Sequence, residues 1–92
     1  MNDQFMKWVD ATKDIANRSE ECKCPECGHK GLEFQYVGDK ERNLGHVYIW
    51  CNSCKHGIHI SRTRIPDGVD LLPMNVSAEE IEKRVPKYEL VS

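Results

Sequence analysis

Two Cys-x-x-Cys pairs, three runs of strand-like alternation and an apolar stripe of helical spacing near the start predict a small α+β, metal-stabilised domain. The expected arrangement is a three-stranded antiparallel ribbon with an N-terminal amphipathic helix and a short C-terminal helix. One domain is expected over 1–92: the N-terminal helix in 1–21, the metal-binding ribbon in 22–66, and a C-terminal wrap with the short helix in 67–92. The composition fits this picture. Apolar residues make up 39% of the 92 and charged residues 30%, which is globular but thin on core. A chain of this size commonly needs a staple, and five cysteines are the place to look.

The elements follow in order. Phe5, Trp8, Val9, Thr12, Ile15 and Ala16 recur at three- and four-residue spacing, so residues 3–17 read as an amphipathic helix with Asp3 as its cap. Asp10, Lys13, Asp14 and Asn17 fall mostly on its other side. The apolar stripe is expected to cover the rest of the domain; a free partner-binding helix is the rival. Residues 18–21 are a polar connector. Leu32 to Val37 alternates as a strand, with Phe34 and Tyr36 on one side. The polar stretch from Gly38 to Asn43 is a turn, and Leu44 to Trp50 is the returning strand of a hairpin.

Gly57 to Ile65 reads as a third strand, and strict alternation puts Ile58, Ile60, Arg62 and Arg64 on one face. Pro66-Asp67-Gly68 ends it in a turn. Val69, Leu71, Leu72 and Met74 form an apolar loop expected to wrap onto the sheet. Ser77-Ala78-Glu79-Glu80 is a capping box that opens a helix stopping before Pro86. Lys87 to Val91 alternates as a tail strand does.

The cysteines carry the chemistry. Cys24-Pro25-Glu26-Cys27-Gly28 and Cys51-Asn52-Ser53-Cys54-Lys55 are separated by 23 residues between Cys27 and Cys51, room for a long hairpin. Two residues between ligands let one tight turn aim two thiolates at a point, with backbone amides free to hydrogen-bond the sulfurs. Pro25 stiffens the first turn. Four thiolates suit one tetrahedral Zn2+ and leave no open coordination position, so the ion is expected to be structural. By analogy with zinc-finger peptides it contributes about 10–16 kcal/mol, against about 5–15 kcal/mol for the net stability of a typical domain. Iron in the same ligand set would make a rubredoxin-like electron carrier; a redox dithiol and a histidine standing in for one cysteine are further alternatives. Cys22, beside Cys24, is a spare ligand, a redox-sensing thiol or a small buried side chain. The better spacing of Cys24 and Cys27 favours the last two.

Each cysteine pair is trailed by a histidine, His29 and His56, and His59 follows on the third strand. They read as groups surrounding the metal site or touching a partner, or as solvated turn residues. Lys55, His59, Arg62 and Arg64, with Tyr36, Tyr48 and Trp50, can compose a basic and aromatic surface for phosphate contact and base stacking. Burial of Trp50 and at least one tyrosine, with the arginines guarding a sheet edge, is the simpler expectation.

With these residues in view, the chain resembles the zinc-ribbon superfamily, and more narrowly small bacterial zinc-ribbon proteins. Trp50 to Arg62, with Cys24 to Gly28 upstream, carries the resemblance, which spans about residues 22–66. It implies three antiparallel strands and zinc at Cys24, Cys27, Cys51 and Cys54. It implies no particular activity, because such ribbons serve transcription and translation factors, nucleases and protein-docking modules.

The net charge of −2 hides an asymmetry: residues 22–64 carry seven basic and four acidic side chains, the flanks six and eleven. A weakly basic centre between acidic flanks permits an anionic partner without demanding one. The start, Met1 to Trp8, lacks a secretory pattern and no stretch reaches the length of a membrane span, so a cytoplasmic protein is expected, with reduced thiols. The functional expectation is a non-enzymatic interaction module with no catalytic residue, no other cofactor and no small-molecule substrate. It binds a protein partner in the bacterial cytosol, in regulation or in neutralising a toxin. The alternative partner is nucleic acid, contacted through Arg62, Arg64 and His59.

Overall fold

The computed structural model describes residues 3–12, 15–18 and 20–91, and the side chains of residues 3, 4, 16 and 17 lie outside that description. The expected single helix over 3–17 stands as two segments, α1 (Asp3–Ala11) and α2 (Ile15–Arg18). Thr12 sits between them as a turn residue. Its amide and its hydroxyl both donate to the Trp8 carbonyl, at 3.0 and 2.7 Å. A hydroxyl in this position competes for the helix's own acceptors. The Asp3 cap and the placement of Lys13, Asp14, Ala16 and Asn17 fall on side chains or residues outside the description.

The sheet departs from the expected three antiparallel strands. It has five strands in the order β4-β1-β2-β3-β5, formed by β1 (Glu33–Asp39), β2 (Leu44–Trp50), β3 (His56–Thr63), β4 (Leu71–Pro73) and β5 (Glu89–Leu90). The central three are antiparallel, as the hairpin spacing required. The two short outer strands are parallel to their neighbours, β4 to β1 and β5 to β3. The segment read as an apolar loop thus becomes β4. It pairs with Tyr36–Gly38 of β1, and β5 pairs with His56–Gly57 of β3, so each long strand is covered along part of its outer edge.

The β1–β2 turn is locally determined. The Asp39 carboxylate accepts from the Glu41 amide at 3.0 Å, and Asn43 adopts φ 52°. The Asn43 side-chain oxygen accepts from the Ile65 amide at 3.0 Å and ties the end of the third strand to this turn.

A bulge overturns the expected face assignment on β3. Val47 pairs with Ile60, but Gly45 pairs with Thr63, so Ser61 and Arg62 together stand opposite His46. Arg62 absorbs the extra residue at φ 58°. Beyond it the alternation is reversed. Thr63 and Ile65 follow Ile58 and Ile60 on the core face, and Ile65 is buried there, while Arg62 and Arg64 are exposed.

The main core lies between this face and the N-terminal segment. It holds Trp8, Ile15, Leu32, Tyr36, Val47, Ile49, Ile58 and Ile65, together with Cys22, Cys24 and Cys51. Trp8 is fully buried, and its indole N–H donates to the Glu26 carboxylate at 3.3 Å, which docks the helix on the first cysteine turn. Replacing such a side chain by alanine typically costs about 3–5 kcal/mol, a large share of a small domain's stability. The apolar stripe therefore covers the domain.

The opposite face carries Val37 and Trp50, both buried, and is partly covered by the returning C-terminal chain. Ser77 caps α3 (Ala78–Arg84) by accepting from the Glu80 amide at 3.3 Å, and the helix ends at Val85, before Pro86. Arg84 forms an ion pair with Asp70. Tyr88 then stacks on Trp50 with ring centroids 6.2 Å apart and donates its hydroxyl to the Ile58 carbonyl at 3.0 Å. Gly57, directly across from Trp50, makes this possible. A Cβ there would meet the Ile49 carbonyl oxygen at 2.3 Å and the Tyr88 ring at 2.6 Å. Gly57→Ala is therefore expected to destabilise the metal-loaded protein by about 1–3 kcal/mol, the usual cost of overpacking, measured by denaturant unfolding.

Candidate metal centre

The four cysteines of the two turns converge. The sulfurs of Cys24, Cys27, Cys51 and Cys54 all lie within 4.8 Å of one another, with Cys24 and Cys54 at 3.6 Å and Cys27 and Cys51 at 3.7 Å. Four ligands at a Zn–S bond length of about 2.3 Å occupy the corners of a tetrahedron with edges of about 3.8 Å. The observed separations fit such an ion, and the donor set, four thiols, is what a soft or borderline metal requires. The site can hold a metal ion.

The two turns are built alike. The Gly28 amide donates to the Cys24 carbonyl at 2.8 Å, and the Lys55 amide to the Cys51 carbonyl at 2.9 Å. The Cys24 and Cys51 amides donate to the His29 and His56 carbonyls, each at 2.9 Å. The amide two residues past each second cysteine, that of His29 or His56, points at the sulfur of Cys27 or Cys54. In the first turn the Glu26 amide also donates to the Cys24 sulfur at 3.3 Å. The amide-to-sulfur bond expected from the spacing is therefore present at Cys24, and the His29 and His56 amides favour the thiolates of Cys27 and Cys54. They place partial positive charge where thiolate charge must be held.

Burial differs among the four. Cys24 and Cys51 are buried, Cys54 is half-buried and Cys27 is exposed. Burial pushes the Cys24 thiol up to about 12 and raises that of Cys54, while the His29 amide draws Cys27 down to about 7. Four neighbouring thiolates need a cation to share their charge, and a bound metal supplies it by displacing the protons outright.

The fifth cysteine stands apart. Cys22 is buried in the main core and belongs to the ladder that closes the first turn, where its carbonyl accepts from the Gly31 amide at 2.8 Å. It is not one of the converging sulfurs. Its burial favours the small core side chain over the redox-sensing thiol.

Of the remaining candidate contacts, Lys55 stands apart from the other three. Lys55 is exposed beside Lys87, Tyr88 and Glu89. Arg62 lies seven residues further along β3, about 23 Å of extended strand. Arg62 and Arg64 are exposed at the end near the β1–β2 turn, and His59 is half-buried between. Tyr36 is buried in the main core and Trp50 lies under Tyr88, which leaves Tyr48 as the half-buried aromatic of the three.

Sequence reasoning missed one contact set here. His46 and His59 meet across β2 and β3, with Tyr48 stacked on His59 at 4.6 Å. Hairpin register could have suggested it, since Tyr48 and His59 are paired and His46 is the next residue on that face. His29 is exposed, while His56 is half-buried with its Nδ1 buried and without a hydrogen-bond partner.

One asymmetry between the turns has a measurable cost. The position after each second cysteine is left-handed: Gly28 at φ 77° and Lys55 at φ 59°. Only glycine takes this conformation freely. A Cβ on Gly28 would meet nothing within 4 Å, so the penalty there is purely backbone strain. Gly28→Ala is expected to lower stability by about 1 kcal/mol, and Lys55→Gly to raise it by about 0.5–1 kcal/mol, in thermal unfolding of the metal-loaded chain.

No helix among the described residues is long and apolar enough to cross a membrane. No protein-family model, curated protein or solved structure matches the chain.

Proposed function

We propose that this chain is a non-enzymatic zinc-ribbon interaction module. One structural Zn2+ at Cys24, Cys27, Cys51 and Cys54 orders the hairpin, and the folded surface binds a protein partner in the bacterial cytosol. A regulatory or toxin-neutralising role fits such a module. The observation that carries the reading is the convergence of the four sulfurs at tetrahedral spacing. With all four positions filled by protein, an ion there has no vacancy for substrate and acts on the fold alone. Iron in the same cage is the rival ion, and colour distinguishes it.

A protein partner is favoured over nucleic acid by the distribution of charge and apolar surface. The net charge is −2, and the basic residues of β3 are spread along the strand rather than gathered. Met6 and Met74 are exposed, and methionine is enriched at protein interfaces.

The purified protein is expected to be colourless with one zinc per chain. Chelation should abolish its strand circular dichroism. Cys51→Ser should lose both metal and fold, whereas Cys22→Ser should keep the metal at a cost of about 1–2 kcal/mol for a small buried side chain. Affinity capture with the loaded chain should then retain a protein that the chelated chain does not. A red, iron-containing product sinks the zinc assignment. Nucleic acid retained with steep salt dependence sinks the protein-partner assignment in favour of Arg62, Arg64 and His59.

A further inference from the structure

We propose that His46 and His59 form a second metal site, separate from the four cysteines, for an exchangeable divalent transition ion of the nickel and copper class. The two imidazoles come from neighbouring strands, β2 and β3, on the sheet face away from the main core. His46 Nδ1 and His59 Nε2 lie 2.8 Å apart. Two nitrogens bound at about 2.0 Å in adjacent positions of a square-planar or octahedral ion are separated by about 2.8 Å. The spacing therefore suits the geometries that Ni2+ and Cu2+ prefer, and imidazole is a ligand both favour.

The rings are held in place before any ion arrives. They are nearly perpendicular, at 83°, with centroids 4.9 Å apart. Tyr48 stacks on His59 at 4.6 Å and meets the edge of His46 at 5.4 Å. Such support reduces the ordering needed on binding. Both histidines are only half-buried, so an ion and its waters can reach them from solvent. Burial nevertheless holds both side chains below their ordinary value of 6.5, His59 also through its proximity to His46, which keeps them in the neutral, ligating form at pH 7.

The ion sits to one side of the line between the two nitrogens, about 2.0 Å from each, and the hydrogen they share leaves that line. That hydrogen moves to the far nitrogen of its own imidazole, so both facing nitrogens present lone pairs and the neutral pair releases no net proton. Water fills the other coordination positions. The groups around the pair are Tyr48 on β2, Val37 on β1 beside His46, and Ser61 and Arg62 across from His46 in the bulge. Arg62 is the charged one among them. Having only two protein ligands makes the site exchangeable rather than permanent.

The test uses the full chain as purified, with its cysteine-bound metal in place, and Ni2+ as the probe. Titration calorimetry at pH 7.5 should find one Ni2+ per chain in the micromolar range, while an indicator detects no release of the cysteine-bound metal. The imidazole nitrogen resonances of His46 and His59 should be the ones displaced. His46→Gln or His59→Gln should weaken binding by about tenfold or more, and His29→Gln should leave it unchanged. Acidification to pH 5.5 should weaken binding in the unmodified chain as protons occupy the ring nitrogens. Retained cysteine-bound metal reports that each variant is folded, and the resonance shifts on the unmodified chain decide the matter if a variant is not. Absence of binding up to millimolar Ni2+, binding unaffected by either substitution, or uptake only with release of the cysteine-bound metal would each overturn the proposal.

Discussion

Four sulfurs, two from each end of a long hairpin, have to meet at one point, and most of the molecule is arranged around that demand. Cys24 and Cys27 precede β1, and Cys51 and Cys54 follow β2. Antiparallel pairing from Glu33–Trp50 to Asp39–Leu44 brings the hairpin's open end together, and the two cysteine turns occupy it. A slip of one residue would invert the faces of β2 and misplace Cys51 relative to the first pair. The cysteine cluster and the sheet register therefore specify each other. This suits a chain whose apolar core alone is small for its length.

The sheet then has to cover two faces and two edges with few residues. One face receives the N-terminal segment, anchored by Trp8, whose indole nitrogen reaches Glu26 inside the first cysteine turn. The helix and the metal turn are thus one packing unit. The other face receives the C-terminal chain, with Tyr88 over Trp50 in the space that Gly57 leaves open. Part of each edge is covered by a short parallel strand from the same C-terminal region. Short edge strands leave little template for pairing with other chains.

Beyond Trp50 the second face is only partly covered. His46, Tyr48 and His59 form a contiguous set there, half-buried and in mutual contact. The bulge at Ser61–Arg62 opposes His46 and turns the third strand so that Ile65 enters the core. The arginines at the end of β3 are thereby directed away from the core face rather than gathered with Lys55 at its beginning. Charge on this protein is dispersed, and its chemically distinctive features are the cysteine cage and the imidazole pair.

Local chemistry made much of this legible in the sequence. The cysteine spacing named the four converging sulfurs, because a two-residue gap closes one turn irrespective of what surrounds it. Alternation gave Leu44 to Trp50 its full extent, and Ser77 and Glu80 marked the start of α3 through a bond between near neighbours. What the tertiary structure decided depended on partners distant in the chain. The loop at 71–73 becomes a strand only because β1 offers it unpaired groups, and Arg62 leaves the face of Ile60 only because a bulge stands opposite His46. Cys22 is buried by the surrounding core, and two histidines thirteen residues apart meet through hairpin register. Short-range hydrogen bonding and side-chain period are written in a sequence directly, whereas edge pairing, bulges and burial are settled by which surfaces compete for one another once the chain has closed on itself.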